Sequence, residues 1–482
     1  RQTLVRVLKE QYAAGQIHPS KPVADHIELL GLENSFTITT GHQLNIFTGP
    51  LYFIFKIVTA INLAGELKSH FPDKNFIPVY WMASEDHDFE EINHTYIGDK
   101  KITWQHQAQG ATGRLSVQDM AQAIREYTGR LGISLHAPSL AKMIETAYSG
   151  HKNLAEATRY LVNALFEEYG LIVLDADHPE LKKQFTPIIT EDILHQNSYK
   201  AINSTMEELA KIGIESQVNP REINFFYLQD GLRERLVFEN NRYQVLNSDI
   251  SFSAAELQEK INQHPECFSP NVVMRPIYQE VILPNIAYVG GGAEIVYWLQ
   301  LKQNFDQYGV DFPILILRNS AMFISNKSET ALNRLRFSLT DIFKDAENLK
   351  KQWILNHSEH TLNLADEWQE LTCIFEKIKL RAHKIDPTLT ASTLAVKTRL
   401  EKAIHNLEKK LIKAEKRNHA DSLSKIDTLK YKLFPMNGLQ ERSENFGMFY
   451  VKYGPEFISS LIKSFKPLDF KFTILLEEPS SN

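Results

Sequence analysis

Phe36-Thr37-Ile38-Thr39-Thr40-Gly41-His42-Gln43-Leu44-Asn45-Ile46-Phe47-Thr48-Gly49-Pro50 is the stretch whose reading decides the fold. Its first five residues are β-branched or aromatic and predict a strand. Residues 50–71 then predict a helix with Pro in its first turn. Residues 76–82 predict a second strand, and the three pieces make a βαβ unit with a right-handed crossover. Working outward, residues 171–174 read as a buried strand ending in Asp175-Ala176-Asp177-His178, and residues 313–317 as another ending at Arg318-Asn319. Residues 1–330 are therefore expected to be α/β, built on a largely parallel sheet. Two insertions interrupt it, near 95–150 (polar strands and two helical patterns) and near 215–250 (hairpins breaking at Gln229-Asp230-Gly231 and Glu239-Asn240-Asn241).

Beyond residue 330 the period changes. Ile342, Ala346, Leu349 and Trp353, then Leu364, Trp368, Leu371, Phe375, Ile378, Ala382 and Ile385, then Leu400, Ile404, Leu407, Leu411 and Ala414 recur every three or four residues. That spacing keeps one stripe facing a partner helix, as in a coiled coil. Asp386-Pro387 ends one helix, and Ser392 is the expected cap of the next. The register breaks at 418–421. Residues 331–432 are expected to form an antiparallel arm used to dimerise, with an internal bundle as the alternative, and 433–482 to return to the core.

The composition excludes several classes. With 53 Lys plus Arg against 59 Asp plus Glu, the formal charge of −6 argues against a protein built to grip nucleic acid. The longest apolar run, 51–67, carries Lys56, Asn62 and Glu66 and is no membrane span. No secretory signal is read from the chain. Two cysteines, Cys267 and Cys373, exclude a disulfide scaffold and a cysteine-rich zinc cluster, and fit a reducing cytoplasm. Both are expected to be small buried hydrophobes.

Four constellations carry possible chemistry. Gly41 to Pro50 lies between strand and helix, at the strand end where parallel sheets bind ligands. Its glycines permit close backbone approach, and the helix start offers free N–H groups to phosphate or carboxylate. His42 is suited to a phosphoryl oxygen or to developing charge. An ordinary tight turn would read the same way. Trp81-Met82-Ala83-Ser84-Glu85-Asp86-His87-Asp88-Phe89-Glu90-Glu91-Ile92-Asn93-His94 follows the second strand and should share that edge. Its carboxylates suit an ammonium group, a general base or a metal, although no second cluster has metal spacing; a capped, solvated helix start is the bland reading. Arg275-Pro276, followed by Tyr288-Val289-Gly290-Gly291-Gly292-Ala293-Glu294, offers a carboxylate clamp and a Gly-rich turn before a helix. Asp175, Asp177 and His178 end a strand, but also make a good helix start. Asn326-Lys327-Ser328 reads as a surface helix cap.

Thr40 to Pro50, Pro78 to His94, Arg275-Pro276 with Tyr288-Val289-Gly290-Gly291, Leu433-Phe434-Pro435-Met436-Asn437-Gly438 with Gln440-Glu441-Arg442, and Lys452-Tyr453-Gly454-Pro455 together resemble the bacillithiol biosynthesis cysteine-adding enzyme family. The resemblance runs over nearly the whole chain, and Ser84 to Glu91 is its most specific piece. It departs at His42 and Leu44, where many members carry Gln and Pro. It implies a Rossmann-like core with inserted segments, a helical coiled-coil arm that makes a homodimer, and a cysteine ligase acting on cysteine and the amine of glucosaminyl malate. Joining a carboxylate to an amine in water requires activation, so ATP with Mg is the expected cosubstrate, giving a cysteinyl adenylate. His42, Glu85, Asp86, His87 and Asp88 are the candidate catalytic residues. Gly41, Gln43, Gly49, Ser84, Asp175, Arg275 (for the malate carboxylates), Tyr288, Gly290, Gly291, Gly292, Glu294 and Arg318 are the candidates for binding substrate or nucleotide. No residue is assigned to a metal. Two other readings stay open: a Mg-dependent nucleotidyltransferase or phosphate-ester hydrolase using residues 86–88, and a non-catalytic ligand-binding coiled-coil protein.

Overall fold

The computed structural model describes residues 1–15 and 17–477. Five parallel strands form the central sheet: β1 (Ser35–His42), β2 (Asn75–Met82), β3 (Ile172–Asp175), β4 (Asn285–Gly290) and β5 (Ile314–Leu317). Their spatial order is β5-β4-β1-β2-β3. The chain leaves β1 towards β2 and β3, then comes back to place β4 on the other side of β1. The strand order therefore reverses between β1 and β4, the position at which open α/β sheets form a crevice beyond their carboxyl ends.

Alternation along the strands buries both faces. Ile77, Val79, Trp81 and Tyr288 join one apolar cluster, with Leu181, Phe185 and Ile189 of the helix Pro179–His195. Ile38, Phe76, Ala287 and Val289 join another, with Ala60, Leu63 and Ala64 of the crossover helix Tyr52–His70. Strands covered on both sides read as near-continuous apolar runs, which is how 76–82 reads. The crossover helix is buried on most of its surface and includes Lys56, only 4% exposed.

The segment near 95–150 holds the pair His94–Ile97 and Lys100–Thr103 and the helices Ala121–Arg130 and Ala137–Ser149. The segment around 215–250 belongs to a separate antiparallel sheet of Phe225–Gln229, Leu232–Glu239, Arg242–Val245, Ser251–Phe252 and Phe268–Pro270. Its tight turns use positive φ at Gly231, Asn240 and Asn241.

The described residues divide into two compact units, Arg1–Ala321 with Glu441–Thr473, and Met322–Gln440 with 474–477. In the second unit Ser325 caps the helix Asn326–Leu335 through the amide of Ser328, as the capping reading of that motif expects. The helices Ala365–Ile385 and Leu389–Asn418 form an antiparallel hairpin. Their links step in opposite directions: Ser358 to Glu415 (3.0 Å), the Leu364 amide to Glu408 (2.8 Å) and Lys397 to Glu376 (3.2 Å). Asp386 closes the first helix, and its carboxylate accepts from the Thr388 amide (2.8 Å). The second helix therefore starts at Leu389, and Ser392 lies inside it rather than capping it. The long helix stops at Asn418 and the next, Ala420–Leu433, begins after His419. Cys373 is exposed on this hairpin and Cys267 is half-buried, so neither is the buried core residue expected. Among the described residues no helix is long and apolar enough to cross a membrane.

Candidate active site

The loops after β1, β2, β4 and β5 converge on one cleft with a volume of about 710 Å³. The β1 loop brings Gly41, His42 and Gln43; the β2 loop brings Ala83 to His87; the turn after β4 brings Gly291 to Glu294; β5 ends at Arg318. Tyr52 and Lys56 of the crossover helix, Phe226, Arg233 and Arg235 of the antiparallel sheet, Arg275, and Arg442 from the returning segment complete the wall. All of these residues belong to the first compact unit.

The floor is a charged bridge between two loops. Lys56 Nζ donates to the Gly41 carbonyl (2.8 Å) and pairs with Glu294 at 2.5 Å. Glu294 also accepts from the Gly291 amide (2.8 Å) and the Tyr288 hydroxyl (3.0 Å). Burial works to raise the Glu294 carboxyl, but Lys56 and these donors hold it below its usual range. A buried lysine left unpaired would be strongly destabilising, so the pair fixes both loops. Gly41 has little room: a Cβ there would lie 3.3 Å from the Tyr288 hydroxyl.

His42 and His87 are both neutral and have opposite polarity. His42 Nδ1 lies 2.9 Å from the Gln43 carbonyl, which can only accept, so Nδ1 carries the proton and Nε2 is an acceptor. Burial, then Lys56, lowers the His42 pKa to about 4. The Arg233 guanidinium can only donate, and it reaches His87 Nδ1 at 2.5 Å, so the His87 proton sits on Nε2. Burial and Arg233 together lower the His87 pKa. His42 therefore does not supply a positive charge for a phosphoryl group, but its ring offers a lone pair.

The acidic stretch divides by position. Glu85 is 13% exposed, and one oxygen accepts from the fully buried Lys182. Burial raises its carboxyl and Lys182 pulls the other way. Asp86 accepts from Gln43 Nε2 (2.7 Å) and the His87 amide (2.7 Å), and Gln43 also reaches Glu91 (2.7 Å), which ties the β1 and β2 loops together. Asp88 caps the short helix Phe89–Ile92 and does not line the cleft. Among the described residues no three His, Cys, Asp or Glu side chains gather as a metal-holding group.

Five further candidates lie behind the wall. Asp175 is held beneath the β2 loop, accepting from the Ser84 hydroxyl and the Asp177 amide (3.1 Å), so it orders Ser84 from outside the cleft. Asp177 is clamped by Arg114 (2.8 and 3.0 Å), and His178 caps the helix Pro179–His195. Gly49 sits at φ 62° in a left-handed run with Phe47 and Thr48, packed on Asn45. Gly290 supports the turn from inside the sheet. The amide of Leu51 donates to the Glu444 carbonyl (2.8 Å), so that N–H of the helix start is not available to an anion.

Arg275 and Arg318 are held differently. Arg275 donates to Gln279 (2.9 Å) and lies 5.8–5.9 Å from the ring centres of Trp81, Tyr288 and Trp298. Arg318 donates to Glu441 (2.7 Å), the Asn319 carbonyl (3.0 Å) and Ser320 (3.1 Å). Its buried Nε has no partner among the described residues and would lie 3.9 Å from a Cβ placed on Gly291. Seven Lys and Arg side chains line the cleft against Glu85, Asp86 and Glu294, so it is electropositive and suits polyanionic ligands.

The sequence reading missed Lys56, Arg233, Arg235 and Arg442 as cleft residues. Lys56 was visible as the one lysine within the apolar run 51–67, a position that demands a partner. Arg233 and Arg235 were visible as alternate residues of one strand, which share a face.

The description "Bacillithiol biosynthesis BshC, N-terminal Rossmann-like domain" matches residues 1–319, and its "C-terminal coiled-coil domain" matches 321–477. Proteins carrying the name "Putative cysteine ligase BshC" are similar along nearly the whole chain. The one from Flavobacterium johnsoniae is 45% identical over 472 residues, 98% of this chain and 88% of its own length. That from Flavobacterium psychrophilum is 45% identical over 475 residues (98% and 89%), and that from Christiangramia forsetii 39% over 479 residues (98% and 89%). This chain, with its doubly wound parallel sheet and long helical hairpin, belongs to the BshC family of bacillithiol biosynthesis.

Proposed function

We propose that the protein is a cysteine ligase that condenses the carboxylate of L-cysteine with the amine of glucosaminyl malate to give bacillithiol. Family membership supports the class of reaction, and one observation carries its assignment to the cleft. Carboxylates and a large surplus of cations line the same cavity at the strand-order reversal. An amine and several anionic groups are what this reaction brings together.

In this reading the cysteine carboxylate would attack the α-phosphorus of Mg-bound ATP and expel pyrophosphate, and the amine would then attack the resulting mixed anhydride, expelling AMP and giving up a proton. The donors fit an anion: the unpartnered Arg318 Nε and exposed Arg442, both in the cleft wall. Arg275 receives a malate carboxylate against its aromatic walls. Glu85 and Asp86 receive the ammonium form of the amine or take its proton as the amide forms. His42 Nε2 accepts a hydrogen bond rather than donating charge. The half-exposed stripe of the helical hairpin supports a homodimer formed through that stripe.

A mass-spectrometric assay with purified protein, cysteine, glucosaminyl malate and Mg-ATP tests the reading, with each component omitted in turn. Amide product that requires all four upholds it. ATP turnover without amide product overturns it and favours a nucleotide-hydrolysing role.

A further inference from the structure

We propose that Lys182, which lies outside the cleft, is the positioning residue of Glu85, fixing its carboxylate so that the free oxygen faces the cleft to receive an amino-sugar ammonium. The inference rests on the ligase reading for the identity of the amine.

Lys182 projects from the helix Pro179–His195 and is 0% exposed. Its ammonium is held by two hydrogen bonds and an aromatic ring. One goes to Glu85 Oε1, one to the Phe268 carbonyl (2.8 Å), and the ammonium lies 5.5 Å from the Tyr278 ring centre. A lysine this deep is strongly destabilising unless it is paired. Among the described residues Glu85 is the only carboxylate bonded to it, so the pair holds the end of the β2 loop against the helix.

The two oxygens of Glu85 differ. Oε1 belongs to Lys182, while Oε2 accepts from no donor among the described residues although the side chain is only 13% exposed. A mostly covered carboxylate whose second oxygen has no protein donor, in the wall of a cavity, is open to a donor from a ligand. The charges around it come from four elements. Lys182 and Arg233 favour its ionised form, Asp177 opposes it, and Arg114 and Tyr278 face the same group. Arg233 is engaged by Ser269 and His87, and Arg114 by Asp177 and Asp230, so Lys182 is the cation bonded to Glu85 itself. Without Lys182 the carboxylate would lose both its charge partner and its anchor.

Calorimetric titration of D-glucosamine into the full-length protein tests this without requiring turnover. Glu85→Gln and Lys182→Met should each weaken binding by about tenfold or more, and Lys182→Arg should keep it within roughly threefold, since a charge-assisted contact is at stake. The double variant should lose no more than either single one, because both changes remove the same contact. Wild-type affinity in Lys182→Met, additive losses in the double variant, or no glucosamine binding by the wild type would each overturn the inference. Should Lys182→Met fail to fold, Lys182→Gln makes the same comparison. In the amide assay, Lys182→Met should raise KM for the amine while KM for ATP stays within about twofold; a uniform loss for all substrates marks a structural role only. Glucosamine binding without amide product removes the ligase reading and leaves the role of Lys182 standing; the reverse result does the opposite.

Discussion

The central sheet and the helical hairpin of 365–418 use apolar residues in opposite ways. Each strand from β1 to β4 contributes side chains to at least one of two buried apolar clusters. The first hairpin helix buries no residue fully, and Ile374, Ile378 and Ile385 are 50%, 44% and 81% exposed. The apolar residues of β2 and β3 are buried within the chain, whereas the hairpin leaves a stripe that one partner helix only half covers. The proposed chemistry thus lies at the edge of the tightly packed sheet, and the proposed dimer contact lies on the region that still exposes apolar surface.

The strongest way to break this contrast is at the rigid edge. Glu85→Gln and Arg275→Ala should each reduce amide formation by roughly 100-fold or more, as loss of a group that positions or stabilises reacting charge does. Near wild-type turnover in both variants would remove the cleft from the chemistry. Next comes packing. Ile77→Ala should destabilise the chain by about 2–5 kcal/mol in denaturant unfolding, because Ile77 is fully buried. Ile378→Ala should change it by less than about 1 kcal/mol. Equal effects would show that the hairpin stripe is packed as tightly as the sheet. Ile374→Lys with Ile378→Lys should turn a dimer into monomers in sedimentation velocity without altering the far-ultraviolet spectrum. Dimers that persist place the contact elsewhere.

A smaller effect lies in acid. His42 has a folded pKa of about 4. The unfolded chain takes up a proton near pH 6.5 that the folded chain refuses, so stability is lost as pH falls from about 6.5 towards 4. His42→Gln removes this term, and should reduce that acid loss by roughly 1–3 kcal/mol. Identical pH profiles would mean that the imidazole titrates normally. The smallest difference is between the thiols. Cys373 is exposed, and burial pushes the Cys267 thiol up, so a disulfide reagent should label Cys373 first in the native protein.

Much of this was legible before the structure, for physical reasons that differ by region. The run 76–82 announced a strand because a doubly covered strand needs no polar face. The break at Asp386-Pro387 announced the hairpin because proline cannot continue a helix. His42, Glu85, Gly291, Glu294 and Arg318 were placed together by one rule, that ligands gather at strand carboxyl ends. The remainder depended on three-dimensional pairing. Asp88 and Asp86 are two residues apart, yet one caps a helix and the other faces the cleft; charge content alone cannot separate them. Lys182 is 97 residues from its carboxylate, and nothing local marks it. Ser392 failed as a cap because the turn at Asp386 and Thr388 lets the helix begin at Leu389, three residues earlier.

The link from Arg318 to Glu441, and that from Asn445 to the turn at Phe47 and Gly49, bear on the birth of the protein at the ribosome. Asn445 is fully buried and donates to the carbonyls of Phe47 (2.8 Å) and Gly49 (2.7 Å). The strands are all translated by residue 317, but these partners arrive roughly 120 residues later, on the order of 10 s at about 5–20 residues per second. During that interval Arg318 lacks its carboxylate and the Phe47–Gly49 turn lacks its brace. The emerging chain thus carries a sheet without a finished pocket, and the segment from Glu441 to Asn445 is the clasp that closes it.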